Sequence, residues 1–401
     1  MFLTVALLLL ASAAPFFLDR IYYRGPTSGH FDGARFFNPD GEDTARAPGG
    51  RSRAGFLTRW LTGTDDRAPW PETVAVAQTK PTARVDGSRM VATWIGHATV
   101  LVQTQGLNIL ADPIWSETAG PFGLGPRRVT RPGVAFEDLP RIDLVLVSHN
   151  HYDHMDLATL KRLWERDRPV IVTSLGNDAI LRSRGIPAKG LDWGSAVALT
   201  EGGGAEVEDG MPRCDPAGWC PRDVAHVYVT RNHHWGSRWF TDRNRALWSS
   251  FVVKFRAPGT FFFAGDTGFG DGRWADDAAR LGPVRLAAIP IGAFRFEPGG
   301  MAIGSHIGPV DAVEVYRRLG ARFALPIHWG TFRLSFEARD TPPRLLRAAT
   351  ACTLQTGFDP RPMGVPIEVP ALNDAPVLAR PIMTRRSLLQ CLDTPAVRAL
   401  R

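Results

Sequence analysis

Directly after the apolar run Leu144 to Val147 comes Ser148-His149-Asn150-His151-Tyr152-Asp153-His154, which packs three histidines and an aspartate into six residues. This segment constrains the chain more than any other. Imidazole nitrogen and carboxylate oxygen are the donors of catalytic zinc sites. A cluster of them at the end of a buried strand lies where a rigid frame can hold reactive side chains. His149 and His151, two apart on an extended turn, can face one metal. Asp153 and His154 follow one turn later and can face a second.

Two metals need more donors, and other strand ends offer them. The run Phe261-Phe262-Phe263-Ala264 ends in Gly265-Asp266, where a carboxylate is costly unless it is paired or bound to metal. Asp266 can bridge both ions. The run Phe323 to Ile327 ends in His328, which can complete the second site. In Asn232-His233-His234-Trp235 adjacent side chains point to opposite faces of an extended segment, so one of the two histidines reaches the metals. Spacing does not say which one.

The apolar fraction of 44% and the charged fraction of 22% are those of a globular chain with a real core. Strands are expected at Val91–Trp94, Val100–Gln103, Leu107–Ala111, Asp143–Val147, Val224–Thr230, Ser249–Arg256, Thr260–Ala264, Arg285–Ile291 and Arg322–Ile327. Helices are expected at Asp156–Arg166, Asn177–Arg184, Arg273–Leu281, Val310–Leu319 and Phe336–Thr350. Two halves of this kind predict an α/β chain with two mixed sheets face to face, flanked by helices. The expected organisation is a signal or anchor segment over 1–18 and an irregular connecting region over 19–82 with a short helix near Gly55–Leu61. A hydrolase domain follows over 83–358, then a peripheral tail over 359–401. Gly202-Gly203-Gly204 reads as a turn, and His30 and His226 read as structural.

Met1 to Leu18 carries no charged side chain and fits a signal peptide or a membrane anchor. Arg20 and Arg24 follow it, so a retained anchor would leave the domain on the cytoplasmic side of a bacterial inner membrane. Cleavage after Ala11-Ser12-Ala13 would instead give an exported protein. Cys214 and Cys220 bracket a short loop and can form a local disulfide in an exported domain. The net charge of +7 comes almost wholly from Arg, with only four Lys. It is not organised into a basic run interleaved with aromatics, so nucleic acid is not an expected partner.

From Thr93 to Phe332 the chain resembles the N-acyl-phosphatidylethanolamine-hydrolysing phospholipase D family of the metallo-β-lactamase superfamily. The matching stretches are TWIGHATV from Thr93, ADPIW from Ala111, VSHNHYDHMD from Val147, HHW from His233, FFFAGDTG from Phe261, AAIPIGAF from Ala287 and IHWGTF from Ile327. The resemblance implies an αββα metallo-β-lactamase sandwich with two Zn²⁺ per chain. His149, His151 and His234 would hold the first zinc, with His233 standing where the family has Gln. Asp153, His154 and His328 would hold the second, and Asp266 would bridge. It also implies a functional histidine at His306, in Ser305-His306-Ile307-Gly308-Pro309, where Gly308 replaces the family's Asp.

The expected activity is a phospholipase D type phosphodiesterase in which two zinc ions activate a shared water, with Asp153, Asp266 and His306 as catalytic groups. The same metal site could serve another ester or lactone hydrolase. A non-catalytic zinc-retaining protein at the membrane is a third reading. Expected partners are a phospholipid and a membrane surface, with room for a homodimer. Phe294, Phe296 and Met301 are candidates for the substrate mouth, and His97 for a place beneath the metals or against the substrate.

Overall fold

The computed structural model describes residues 19–41, 67–208, 215, 218–239, 241–296, 304–373 and 384–400. Met1–Leu18, the helix expected near Gly55–Leu61, Cys214 and Met301 lie outside them.

The first sheet has seven strands in the order β14-β1-β2-β3-β4-β5-β6. These are β1 (Met90–Gly96), β2 (Thr99–Thr104), β3 (Leu107–Ala111), β4 (Leu144–Val147), β5 (Val170–Ser174), β6 (Lys189–Leu191) and β14 (Pro366–Glu368). The second sheet also has seven, in the order β13-β12-β11-β10-β9-β7-β8. These are β7 (Ala196–Thr200), β8 (Gly204–Glu208), β9 (Asp223–Thr230), β10 (Ser250–Phe255), β11 (Thr260–Phe263), β12 (Val284–Pro290) and β13 (Phe323–Ile327). Both sheets are mixed: β3 to β6 run parallel in one and β11 to β13 in the other.

Strand periodicity explains the layering. Leu144 and Leu146 of β4 enter the core between the sheets, whereas Val145 and Val147 face the outer helices. Phe261 and Phe263 of β11 point inward to the same core, and Phe262 points outward. A strand covered on both faces needs apolar residues at every position. The sequence therefore reads there as unbroken apolar runs. On the first sheet the covering helices are α1 (Leu157–Asp167) and α2 (Asn177–Arg182). On the second they are α3 (Arg273–Ala279), α4 (Pro309–Arg318) and α5 (Thr341–Thr353).

Helix α5 starts five residues later than the sequence suggests. Pro342 and Pro343 sit in its first turn, where proline needs no hydrogen-bond partner for the missing N–H. The segment after Asp359, expected as a peripheral tail, supplies edge strand β14, paired antiparallel with β1. It also supplies α6 (Arg385–Cys391) and α7 (Pro395–Arg398). Leu388, Leu392 and Leu400 pack into the outer core of the second sheet, which is why this end is not peripheral. Cys391 on α6 is disulfide-bonded to Cys352 on α5. Cys220 is also disulfide-bonded.

The membrane location expected from the N-terminal segment needs correction. No helix among the described residues is long and apolar enough to cross a membrane. Their apolar runs are short strands committed to the sandwich core.

Candidate metal centre

The residues expected to bear the chemistry leave the C-terminal ends of separate strands at one edge of the sandwich. The segment Ser148–Asp156 follows β4, and Asp112 follows β3. His234 follows β9, Asp266 follows β11, and His328 follows β13. Asp156 closes the first loop by capping α1, its carboxylate accepting from the N–H groups of Ala158 and Thr159.

Two overlapping donor sets result. His149, His151, His234 and Asp266 place one donor atom each within 4.8 Å of one another, and so do His97, Asp153, His154 and His328. Asp266 joins the sets. Its Oδ2 lies 4.0 Å from His149 Nε2, 3.9 Å from His234 Nε2 and 3.1 Å from His154 Nε2, while its Oδ1 is 3.0 Å from His328 Nε2. All these histidines except the half-buried His151 are buried, and Asp266 is buried with them.

The imidazole hydrogen bonds fix which nitrogen is available. His154 Nδ1–H donates to Asp112 at 2.6 Å. His234 Nδ1–H donates to the Ser305 carbonyl at 2.8 Å, and His328 Nδ1 faces the Gly292 carbonyl at 3.4 Å. The Ser148 hydroxyl donates to Asp112 at 2.5 Å, so at 2.9 Å it accepts from His149 Nδ1–H. In each ring an outer acceptor takes Nδ1–H and Nε2 is turned toward the cluster, the arrangement a metal-binding histidine requires. Among the described residues His154 Nε2, His328 Nε2, Asp266 Oδ1 and His306 Nδ1 are buried without a hydrogen-bond partner. Such orphans are costly unless something else binds them, and the donor set fits a cation.

Burial pushes the His151 and His234 imidazoles down to about 3 and also lowers His149, keeping these nitrogens neutral. Burial also opposes charge on His154 and His328, but neighbouring carboxylates outweigh it. Asp266, Asp153 and Asp112 raise His154, and Asp266 and Asp153 carry His328 to about 9. Asp153 and Asp266 are correspondingly held well below the usual carboxylate range, against burial, chiefly by His154.

Other expected residues fall in different places. His234 turns to the cluster, whereas His233 turns away and bonds Asp40 at 3.0 Å. His306 Nδ1 is 3.9 Å from Asp266 Oδ2, at the rim. Phe296 is 37% exposed and its ring centroid lies 5.4 Å from that of His306, so it can line an approach to the cluster. Phe294, expected at the mouth, is instead fully buried in the helix-backed core. His97 cannot meet a substrate either: it is 1% exposed behind Asp153, to which its Nε2 bonds at 2.9 Å. His30 bonds Asp192 and stacks on Trp193, and His226 bonds Asp223 and stacks on Trp219.

Sequence reasoning missed Asp112. It is fully buried and accepts from the Ser148 N–H, the Ser148 hydroxyl and His154 Nδ1–H. The signal was available, because Asp112 follows the apolar run Leu107–Ala111 just as Asp266 follows its own strand.

The family model described as a beta-lactamase superfamily domain matches residues 107–329. The chain belongs to the metallo-β-lactamase superfamily. As a member it is a metal-dependent hydrolase whose His/Asp clusters can bind metal ions. Over 274 residues it is 35% identical to "N-acyl-phosphatidylethanolamine-hydrolyzing phospholipase D 1" of Caenorhabditis elegans, covering 65% of this chain and 71% of that protein. Over 247 residues it is 30% identical to the mitochondrial protein of that name from Saccharomyces cerevisiae, covering 61% of this chain and 48%, about half, of the yeast protein. Among solved structures, an isothiocyanate hydrolase from Delia radicum gut bacteria shares the metallo-β-lactamase fold. Its TM-score is 0.52 at 18% identity, over 70% of this chain and 100% of that one.

Proposed function

We propose that this metal-dependent hydrolase cleaves the phosphodiester of N-acyl-phosphatidylethanolamine or a closely related phospholipid, in a reaction of phospholipase D type. In this reading His149, His151 and His234 hold one zinc ion, and Asp153, His154 and His328 hold another. Asp266 lies between them. The observation that carries the reading is four buried histidines, each locked at Nδ1 by an outer hydrogen bond, whose Nε2 atoms all turn toward one buried carboxylate. Imidazole and carboxylate together, without thiolate, suit catalytic zinc. When bound, such cations lower the pKa of water and neutralise charge on phosphoryl oxygens. The substrate class follows the activity named for the worm and yeast relatives.

The chain's own residues supply positioning. Asp266 reaches both donor sets at once and fixes their separation. His97 holds the Asp153 carboxylate, and Asp112 holds His154 directly and His149 through Ser148. Burial pushes His306 down to about 3, and nearby cations would lower it further. His306 is therefore neutral at working pH and hydrogen-bonds the phosphoryl group or the departing oxygen. Phe296 beside it offers apolar contact to an acyl chain.

The test is turnover by purified, zinc-loaded protein on N-acyl-phosphatidylethanolamine, with Asp266→Asn as comparator. The reading expects N-acylethanolamine and phosphatidic acid in equal amounts, and none from the variant. Turnover of a lactone panel without turnover of the lipid would overturn the substrate assignment.

A further inference from the structure

His234 is held from a part of the chain that the superfamily match does not reach. Residues 28–41 form a strap whose apolar side chains Phe31 and Phe36 pack with Leu247 and Trp248 just ahead of β10. The Phe36 N–H donates to the Asn244 carbonyl at 2.8 Å, which anchors the strap to the same region. Beyond this anchor, two strap side chains grip the dipeptide His233-His234 from 193 and 196 positions away in sequence.

Asn38 is buried. Its Nδ2 donates to the His234 carbonyl at 2.9 Å, and its Oδ1 accepts from Trp248 Nε1 at 3.2 Å. A carbonyl only accepts and an indole only donates, so this amide has one workable orientation. Asp40 accepts from His233 Nδ1–H at 3.0 Å and from the Asp271 N–H at 2.9 Å. On the opposite side, the His233 N–H donates to the Thr267 hydroxyl at 3.0 Å. Gly270 has a positive φ of 51°, and a Cβ there would collide with both Asp40 and His233. The backbone is thus shaped around this hydrogen-bonded pair. With His234 Nδ1 bonded to Ser305, backbone and ring are both fixed, and the direction of Nε2 follows.

We propose that Asn38 and Asp40 are positioning residues for His234, so that the N-terminal strap is a working part of the metal centre. This rests on the proposed reading of His234 as a ligand. A side chain that fixes a ligand from outside the coordination sphere typically changes metal affinity by about 10–100-fold when altered.

The experiment titrates metal-free full-length protein with Zn²⁺ against a competing chelator, and with Co²⁺ to follow ligand-field absorption. Wild type, Asn38→Asp, Asp40→Asn and His234→Ala are compared. Asn38→Asp keeps the volume but puts an oxygen against the His234 carbonyl. Asp40→Asn keeps the shape but removes the charge that His233 faces. The inference expects each strap variant to bind one of two zinc equivalents about 10–100-fold more weakly. The other equivalent should stay at wild-type affinity, and the Co²⁺ spectrum of the weakened site should shift. If Asn38→Asp does not fold, Asp40→Asn carries the test. Wild-type protein that takes up no zinc, or His234→Ala that keeps both equivalents, would overturn the ligand reading and this inference with it. If His234→Ala loses one equivalent while the strap variants bind as wild type, or weaken both equivalents alike, only the role of the strap falls.

Discussion

Lowering the pH from 9 to 7 should weaken metal binding steeply, through His328. In the metal-free protein the carboxylates of Asp266 and Asp153 overcome burial and carry this imidazole to about 9, so at pH 7 it holds its proton almost completely. A metal can use Nε2 only after displacing that proton. Between pH 9 and 7 the apparent affinity should fall about 50-fold from this group alone, or about 2 kcal/mol in all. His154 is raised by the same carboxylates and adds to the effect. Stability of the metal-free protein runs the other way. A histidine whose folded pKa lies above its unfolded value of about 6.5 stabilises fully below that value, and the contribution is lost as pH rises through about 9. The assay is calorimetric zinc titration in buffers of different ionisation enthalpy, which counts protons released per metal. At pH 7 at least one proton should leave on binding, and His328→Gln should release one fewer. Affinity that stays level from pH 6 to 9, with no net proton release, would refute the reasoning.

Three further perturbations test other parts of the account. Asp112→Asn leaves His154 and Ser148 facing an amide instead of a carboxylate, and zinc affinity should drop about 10–100-fold by chelator competition, with the fold retained by circular dichroism. Phe263→Ala empties a fully buried position between the sheets and should cost about 3–5 kcal/mol in denaturant unfolding; a loss below 1 kcal/mol would contradict the packing. The Cys352–Cys391 bridge closes a separation of 39 residues, so replacing both cysteines with serine should remove up to about 4 kcal/mol of stability, read as a lower thermal midpoint. An unchanged midpoint would mean that α6 and α7 contribute little to the fold.

The strands nearest the site were the most legible in sequence, because burial on both faces makes them continuous apolar runs. Those ending at Val147, Phe263 and Ile327 announced their site residues by a sudden polar ending. Sequence reading passes over β5, although Val170-Ile171-Val172-Thr173 carries the β-branched signal, over the three-residue, half-exposed β6, and over β7 and β8. It also passes over β14, a three-residue edge strand that owes its existence to pairing with β1 rather than to its own composition. The choice between His233 and His234 could not be made from alternation alone. It depends on Asp40 and Ser305, which reach the pair from distant parts of the chain. Phe294 was misplaced because an aromatic beside a site looks the same in sequence whether it faces the mouth or the core. Of the two places open to His97 in sequence, the structure gives the one beneath the cluster, behind Asp153, and not the one against a substrate.

The central claim is that seven side chains from four strand ends converge on two cations. Anomalous diffraction at the zinc edge from zinc-loaded crystals tests it most directly. The account predicts two peaks per chain, one within bonding distance of His149, His151 and His234, the other of Asp153, His154 and His328, with Asp266 reaching both. Peaks away from these residues, or none despite saturating zinc, would contradict it.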